Sequence, residues 1–322
     1  MQVDDRASSF TSANRFPAKL LSDASVADDQ NRIRPVHLQL CPTNICNLNC
    51  SFCSCADRSR SDVLPFEEIR QILREFYILG TRAITYTGGG EPLTHPRIND
   101  VLDVARNLGI ENGLVTNGLL LDRLTTNALT WIRVSFCDDR DLSSDFLAIV
   151  DRAVERTPRV DWAFSYVLTP KADFAKIRKI LEFAADHRFT HVRMVDDLLN
   201  VEACMEMEAL RVELHGCPGE ALAIYQGRKS YVRGCSRCWI SLLKPVIGAD
   251  GRVWPCCGTQ YAIDGLAHDF SDQMAMGTWR EFRDRLIDQV YFDGSRCDRC
   301  YYEDYNNVLA IMKTSVVHRS FA

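Results

Sequence analysis

Three cysteines on a short stretch, Cys46-Asn-Leu-Asn-Cys50-Ser-Phe-Cys53, are the residues of this chain best placed to do chemistry. Thiolates at C-x3-C-x2-C spacing on a loop can converge on one face of a metal cluster and leave one metal corner without a protein ligand. A structural zinc site would ask for a fourth protein ligand. An open iron corner could chelate a small molecule that carries both an amine and a carboxylate. Further along, Gly88-Gly89-Gly90-Glu91-Pro92 offers backbone that a ligand can approach closely, with amides and carbonyls able to hold an amino-acid moiety.

A second set of thiols lies in the last third of the chain. Cys238-x12-Gly251-x4-Cys256 is followed by Cys297-x2-Cys300. Residues 246–248 and 251–255 read as a hairpin around Ala249-Asp250-Gly251, which would bring Cys238 and Cys256 together at its base. Four thiolates suit zinc or a fully ligated [4Fe–4S] cluster, and spacing alone does not choose between them. Cys235 could replace Cys238, and Cys257 competes with Cys256. Cys41 and Cys55 are out of spacing and are read as non-ligands, and Cys137, Cys204 and Cys217 as small apolar side chains.

Elements that position these groups can be read from periodicity. Strands are predicted at 36–40, 83–86, 113–115, 131–136, 160–168 and 191–195, with helices at 65–79, 98–108, 147–157 and 174–187. Pro65 starts the first helix and Gly80 ends it. This alternation predicts parallel strands with right-handed crossovers, an α/β partial (β/α)6 TIM-type barrel too short to close. The Cys loop, the Gly run and Thr116-Asn117-Gly118 then follow strands one, two and three and face one mouth. The expected division is an N-terminal arm over 1–34, the barrel over 35–215 and a small Cys-rich domain over 216–322.

The first Cys motif, with Phe52 before its last cysteine and the Gly-Gly-Gly-Glu-Pro run at the next strand end, resembles the radical S-adenosylmethionine (radical SAM) superfamily. The resemblance implies that Cys46, Cys50 and Cys53 hold a [4Fe–4S] cluster with S-adenosylmethionine on its fourth iron. It implies that Phe52 packs near the adenine, that Gly88, Gly89, Gly90 and Glu91 bind the methionine amino group, and that Ser135 contacts ribose or carboxylate. A flavodoxin or ferredoxin is the expected electron donor. The later cysteines resemble the twitch form of the SPASM auxiliary domain, with a second [4Fe–4S] cluster on Cys238, Cys256, Cys297 and Cys300. No cysteine follows Cys300, which favours one auxiliary cluster over two.

A spare thiol, Cys257 or Cys235, could return a hydrogen atom to a substrate radical. Arg193, Asp196, Asp197 and Tyr166 at later strand ends are candidate substrate contacts. The layout is similar to that of aminocyclitol dehydrogenases and aminoglycoside epimerases, so oxidation or epimerisation of a sugar-like metabolite is the expected reaction. Residues 1–34 are too few for the leader-binding domain of many peptide-modifying members, which makes modification of a ribosomally made peptide the alternative. A zinc-stabilised binding module without catalysis is the rival from another class.

Composition limits the choices further. The 322 residues carry a net charge of −5, which argues against a nucleic-acid partner. Hydrophobic content of 46% and charged content of 25% are those of a folded domain. No apolar run reaches the ~20 residues of a membrane span, and residues 1–30 lack a signal-peptide pattern. The sequence reads as a cytoplasmic protein without a membrane partner.

Overall fold

Nine strands form one sheet in the order β7-β6-β5-β4-β3-β2-β1-β8-β9 in a computed structural model that describes residues 26–28, 30–229, 232–260 and 273–314. Most of the expected arm, residues 1–25, lies outside the described residues. In chain order the elements are β1 (His37–Leu40), α1 (Phe66–Leu79), β2 (Ala83–Tyr86), α2 (Ile98–Asn107), β3 (Glu111–Thr116), β4 (Trp131–Cys137) and α3 (Ser144–Arg156). Next come β5 (Asp161–Leu168), α4 (Phe174–Asp186), β6 (His191–Asp196), α5 (Met207–Glu213) and β7 (Ala223–Gln226). The C-terminal part adds α6 (Ile240–Leu243), β8 (Val246–Ile247), β9 (Val253–Trp254), α7 (Trp279–Ile287) and α8 (Glu303–Met312).

Strands β1 to β7 are all parallel, and β8 pairs parallel with β1 before turning back as β9. The two ends of this order do not pair, so the barrel is open. The six expected parallel strands are all present. The sequence reading missed β7 and the docking of the hairpin on β1. Between β3 and β4 the crossover carries a single 3₁₀ turn, Leu121–Arg123, in place of an α-helix.

Local chemistry explains the helix ends. Gly80 sits at φ 115°, and the amides of Gly80 and Thr81 close the last turn of α1 on Tyr77 and Phe76. Ser143 and Asp173 accept the free amides of Phe146 and Lys176 at the starts of α3 and α4. Thr278 and Glu281 form a capping box on α7.

Alternation along each strand sorts side chains to two faces. Ile132, Val134, Phe136, Phe164, Tyr166, Val192 and Met194 pack under the helices, as the Phe136–Phe146 and Phe164–Phe183 ring pairs show. The opposite face of the strands carries His37, Gln39, Thr85, Arg133, Ser135, Ser165 and Arg193 beside Val115, Trp131, Ala163, Val167 and Val195, so the inside of the barrel has a polar band between apolar side chains. Its floor is Trp131, whose indole occupies the space a side chain at Gly113 would need. The C-terminal part is fastened to the barrel by Phe282 stacked at 6.4 Å on Phe76, and by the Trp279 indole donating to Glu68 at 2.9 Å. No helix among the described residues is long and apolar enough to cross a membrane.

Candidate active site

The loop after β1 carries Cys46, Cys50 and Cys53, all half-buried. The Cys53 amide donates to the Cys50 carbonyl at 3.2 Å, which closes a turn with Phe52 inside it. Burial and the nearby Cys53 and Cys46 push the Cys50 thiol up, so the three sulfurs lie within electrostatic reach of one another.

Two guanidinium groups that the sequence reading missed flank these thiols. Arg58 donates to Cys53 Sγ at 3.5 Å and to the Asn44 carbonyl at 3.0 Å. Arg140, just past β4, donates to the carbonyls of Ser135 at 2.7 Å and Asn117 at 2.9 Å. Burial lowers the Arg140 pKa, and nearby Cys137, Cys50, Glu91 and Cys46 oppose that shift.

The glycine run lies directly against the segment that leads into Cys46. Gly90 N–H donates to the Thr43 carbonyl at 3.1 Å and Glu91 N–H to the Ile45 carbonyl at 2.9 Å. A Cβ on Gly89 would stand 2.0 Å from Asn44 Oδ1, and one on Gly90 2.2 Å from the Ile45 carbonyl oxygen. Glycine is therefore required here by contact with the Asn44 side chain and the Asn44–Ile45 backbone, before any ligand is considered.

Glu91 differs in place from the ligand contact expected of it. Its carboxylate is 2% exposed and accepts from Leu93 N at 3.1 Å, Thr116 Oγ1 at 2.7 Å and Asn117 N at 2.7 Å. It is a latch between the ends of β2 and β3. Burial raises its pKa, and the three hydrogen bonds work against that rise. Glu91→Ala leaves two buried amides and a hydroxyl without their acceptor. A destabilisation of about 3 kcal/mol is expected, read as a lower denaturant midpoint in the metal-free protein.

Among the other expected residues, Ser135 faces the interior opposite Ser165 in the β4–β5 register. Arg193 does too, donating through Nη2 to Ser165 Oγ at 2.8 Å. Tyr166 and Asp196 fall on the helix face of their strands, and Asp197 is engaged by its own loop. Tyr166 points under the helices, with its hydroxyl on Asp138 Oδ1 at 2.7 Å. Asp196 accepts from Arg228 N at 2.6 Å, and Asp197 holds its own loop through Leu199 N and Asn200. Strand parity carries this information, and counting it from Phe164 would have turned Tyr166 outward.

The second thiol set gathers around a separate cavity with about 700 Å³ of atom-free space, its open mouth included. Cys235, Cys238, Cys256, Cys297 and Cys300 all line it. Short backbone pairings bring the distant segments together: Gly234 N to Cys297 O at 2.9 Å, Cys300 N to Val232 O at 2.7 Å and Cys238 N to Phe292 O at 3.1 Å. Burial and mutual proximity push Cys238 up to about 12 and Cys297 to about 11.

Cys257 is absent from that lining. Its Sγ lies 3.2 Å from Tyr302 Oη, and it acts electrostatically on Cys41, Arg193 and Lys244. Cys256 thus lines the cavity, whereas the Cys257 thiol lies against the cavity residue Tyr302 and also acts on Arg193 of the barrel. Among the described residues no three His, Cys, Asp or Glu side chains close on a single metal ion. A cubane does not ask for that, since each thiolate takes a different iron.

Residues 40–195 match the radical SAM superfamily. GTP 3′,8-cyclase of Chlorobaculum tepidum is 34% identical over 291 residues, covering 79% of this chain and 87% of that protein. The chain belongs to the radical SAM superfamily. The GTP 3′,8-cyclase of Pseudomonas fluorescens is 36% identical over 111 residues, a third of each chain.

Two solved structures share the fold. Streptococcus suis SuiB bound to precursor peptide SuiA has a TM-score of 0.59 at 15% identity, over 92% of this chain and 74% of that one. Native anSMEcpe with bound AdoMet and Kp18Cys peptide has a TM-score of 0.53 at 16% identity, over 81% of each. A radical SAM protein implies one [4Fe–4S] cluster and S-adenosylmethionine. The donor set after β1 fits that cluster in chemistry, three soft sulfurs in mutual reach.

Proposed function

We propose that this radical SAM enzyme oxidises or epimerises a sugar-like or aminocyclitol metabolite. In this reading Cys46, Cys50 and Cys53 hold the first cluster, and Cys238, Cys256, Cys297 and Cys300 hold a second, auxiliary one. When bound, the first cluster and S-adenosylmethionine supply a 5′-deoxyadenosyl radical that abstracts a substrate hydrogen. The chain's own residues do the rest. The glycine backbone receives the amino-acid end of S-adenosylmethionine, Phe52 packs by the adenine and Ser135 faces the ribose. Glu91 and Arg140 fix the ends of β2, β3 and β4 around them. Cys257 offers a thiol at the barrel side, whereas Cys235 lies by the auxiliary cavity with its thiol on the Arg237 carbonyl at 3.3 Å. The barrel core spans 35–215, and 216–322 supply the auxiliary site and both edges of the same sheet, β7 at one and β8-β9 at the other.

The observation that carries the substrate class is the polar band of the inner wall, His37, Gln39, Thr85, Ser135, Ser165 and Arg193. Hydroxyls, an amide and a guanidinium match the hydroxyl and amine groups of a polyol. The alternative, modification of a ribosomally made peptide, draws on SuiB, which shares the fold and holds a precursor peptide. The test is 5′-deoxyadenosine formation by the reduced holoenzyme, supplied by a flavodoxin or ferredoxin, against panels of aminocyclitols, amino sugars and peptides. Stimulation by a polyol or amino sugar is expected. Stimulation by peptides alone overturns the reading.

A further inference from the structure

The three sulfurs of the loop after β1 receive unequal hydrogen bonds. Cys46 Sγ accepts the Leu48 amide at 3.5 Å, a neutral donor. Cys53 Sγ accepts Arg58 Nη1 at 3.5 Å, a charged one. Among the described residues no donor reaches Cys50 Sγ.

The Arg58 head is held in place from more than one side. Its Nε donates to the Asn44 carbonyl at 3.0 Å, and Nη1 donates to the Cys55 carbonyl as well as to Cys53 Sγ. Its Cδ lies against the glycine run, since a Cβ on Gly89 would stand 3.1 Å from it. The side chain is half-buried. No carboxylate pairs with Arg58 among the described residues, so no ion pair cancels the positive charge beside Cys53.

Reduction adds one negative charge to a thiolate-held [4Fe–4S] cluster. A hydrogen bond to a ligand sulfur and a nearby cation both favour the more negative state, and both therefore raise the reduction potential. Arg58 supplies the two together at a single sulfur. Its head is fixed by backbone carbonyls, so the charge stays at that sulfur in either oxidation state.

We propose that Arg58 is a positioning residue of the first site: through Cys53 Sγ it raises the potential of the cluster that Cys46, Cys50 and Cys53 would hold, and so keeps that cluster within reach of a flavodoxin or ferredoxin. The proposal rests on that assignment of the three thiols. It uses nothing of the polyol reading or of the second thiol set.

The experiment is a redox titration of the anaerobically reconstituted protein, without S-adenosylmethionine, followed by electron paramagnetic resonance. The first cluster is the signal that the Cys46/Cys50/Cys53→Ala variant lacks. At the midpoint potential of the unaltered protein, the ratio of reduced to oxidised cluster should fall about tenfold in Arg58→Gln, a shift of about 59 mV to more negative potential for a one-electron couple. Arg58→Lys keeps a cation beside the sulfur and should recover at least half of that shift. In the unaltered protein grown with isotopically labelled arginine, the reduced first cluster should show a coupling to arginine nitrogen, and Arg58→Lys should abolish it. The first half of that arm needs no variant to fold.

A ratio in Arg58→Gln within about twofold of the unaltered protein overturns the proposal. So does an equal shift in Arg58→Lys, which would mark a displaced loop in place of a lost charge, and so does the absence of arginine coupling in the unaltered protein. Iron analysis separates the two levels. A first site that binds no iron refutes the assignment of the three thiols and the proposal with it, whereas a full complement of iron with an unmoved potential refutes the role of Arg58 alone.

Discussion

Cys50→Ala should form 5′-deoxyadenosine at least about a thousandfold more slowly than the unaltered enzyme, equivalent to ~4 kcal/mol of barrier. Cys50 sits between Cys46 and Cys53 in the turn after β1, so its loss removes one of the three sulfurs that would hold the first cluster. The loop itself should persist. Its position rests on Gly90 and Glu91 amides bound to Thr43 and Ile45, and on Arg58 bound to Asn44, none of which involves the Cys50 side chain. The variant should therefore unfold near the unaltered metal-free protein and retain iron at the second site. Quantifying 5′-deoxyadenosine by chromatography checks the first expectation. Cleavage at the normal rate would remove Cys50 from the ligand set.

Cys257→Ser is the second large effect. The Cys257 thiol lies 3.2 Å from Tyr302 Oη and within electrostatic reach of Arg193 and Lys244 at the barrel interior. Cys235 belongs to the other side of the C-terminal part, by the auxiliary cavity. If the reaction is an epimerisation in which Cys257 donates the hydrogen atom, the inverted product should fall by about tenfold or more, ~1.4 kcal/mol of barrier, and an oxidised product should take its place. Cys235→Ser should leave the product ratio unchanged. Product analysis by mass spectrometry separates the two, and unchanged inversion in Cys257→Ser would exclude this thiol as the donor.

Much of this arrangement is legible in the sequence because it is local. C-x3-C-x2-C, Pro65 and Gly80 at the ends of the first helix, and the Ala249-Asp250-Gly251 turn depend on neighbours within a few residues. The strands β1 to β6 were legible because each is a short run of apolar or alternating polar and apolar residues bounded by turn residues. What escaped depends on long-range pairing. Strand β7, Ala-Ile-Tyr-Gln, is half-buried throughout and follows turns, so only its pairing with β6 marks it as a strand. Strand β8 has two residues, and its register with β1 has no trace in sequence.

The site shows the same division. The thiols were found by spacing, whereas Arg58 and Arg140 were not, because a lone basic residue in a loop carries no signal until the fold gives it a neighbour. The Cys256-Cys257 pair was not open to a strand-parity argument. The chain turns directly after β9, and the structure places Cys256 on the cavity lining and the Cys257 thiol against Tyr302 Oη.

The measurement that bears most directly on a two-cluster enzyme is iron, zinc and acid-labile sulfide content after anaerobic reconstitution, in the unaltered protein and in the Cys46/Cys50/Cys53→Ala variant. The expected values are about eight iron and eight sulfide per chain in the former and about four of each in the latter. A variant that holds zinc alone, or no metal, would contradict the account and leave a single-cluster radical SAM protein whose later cysteines are structural.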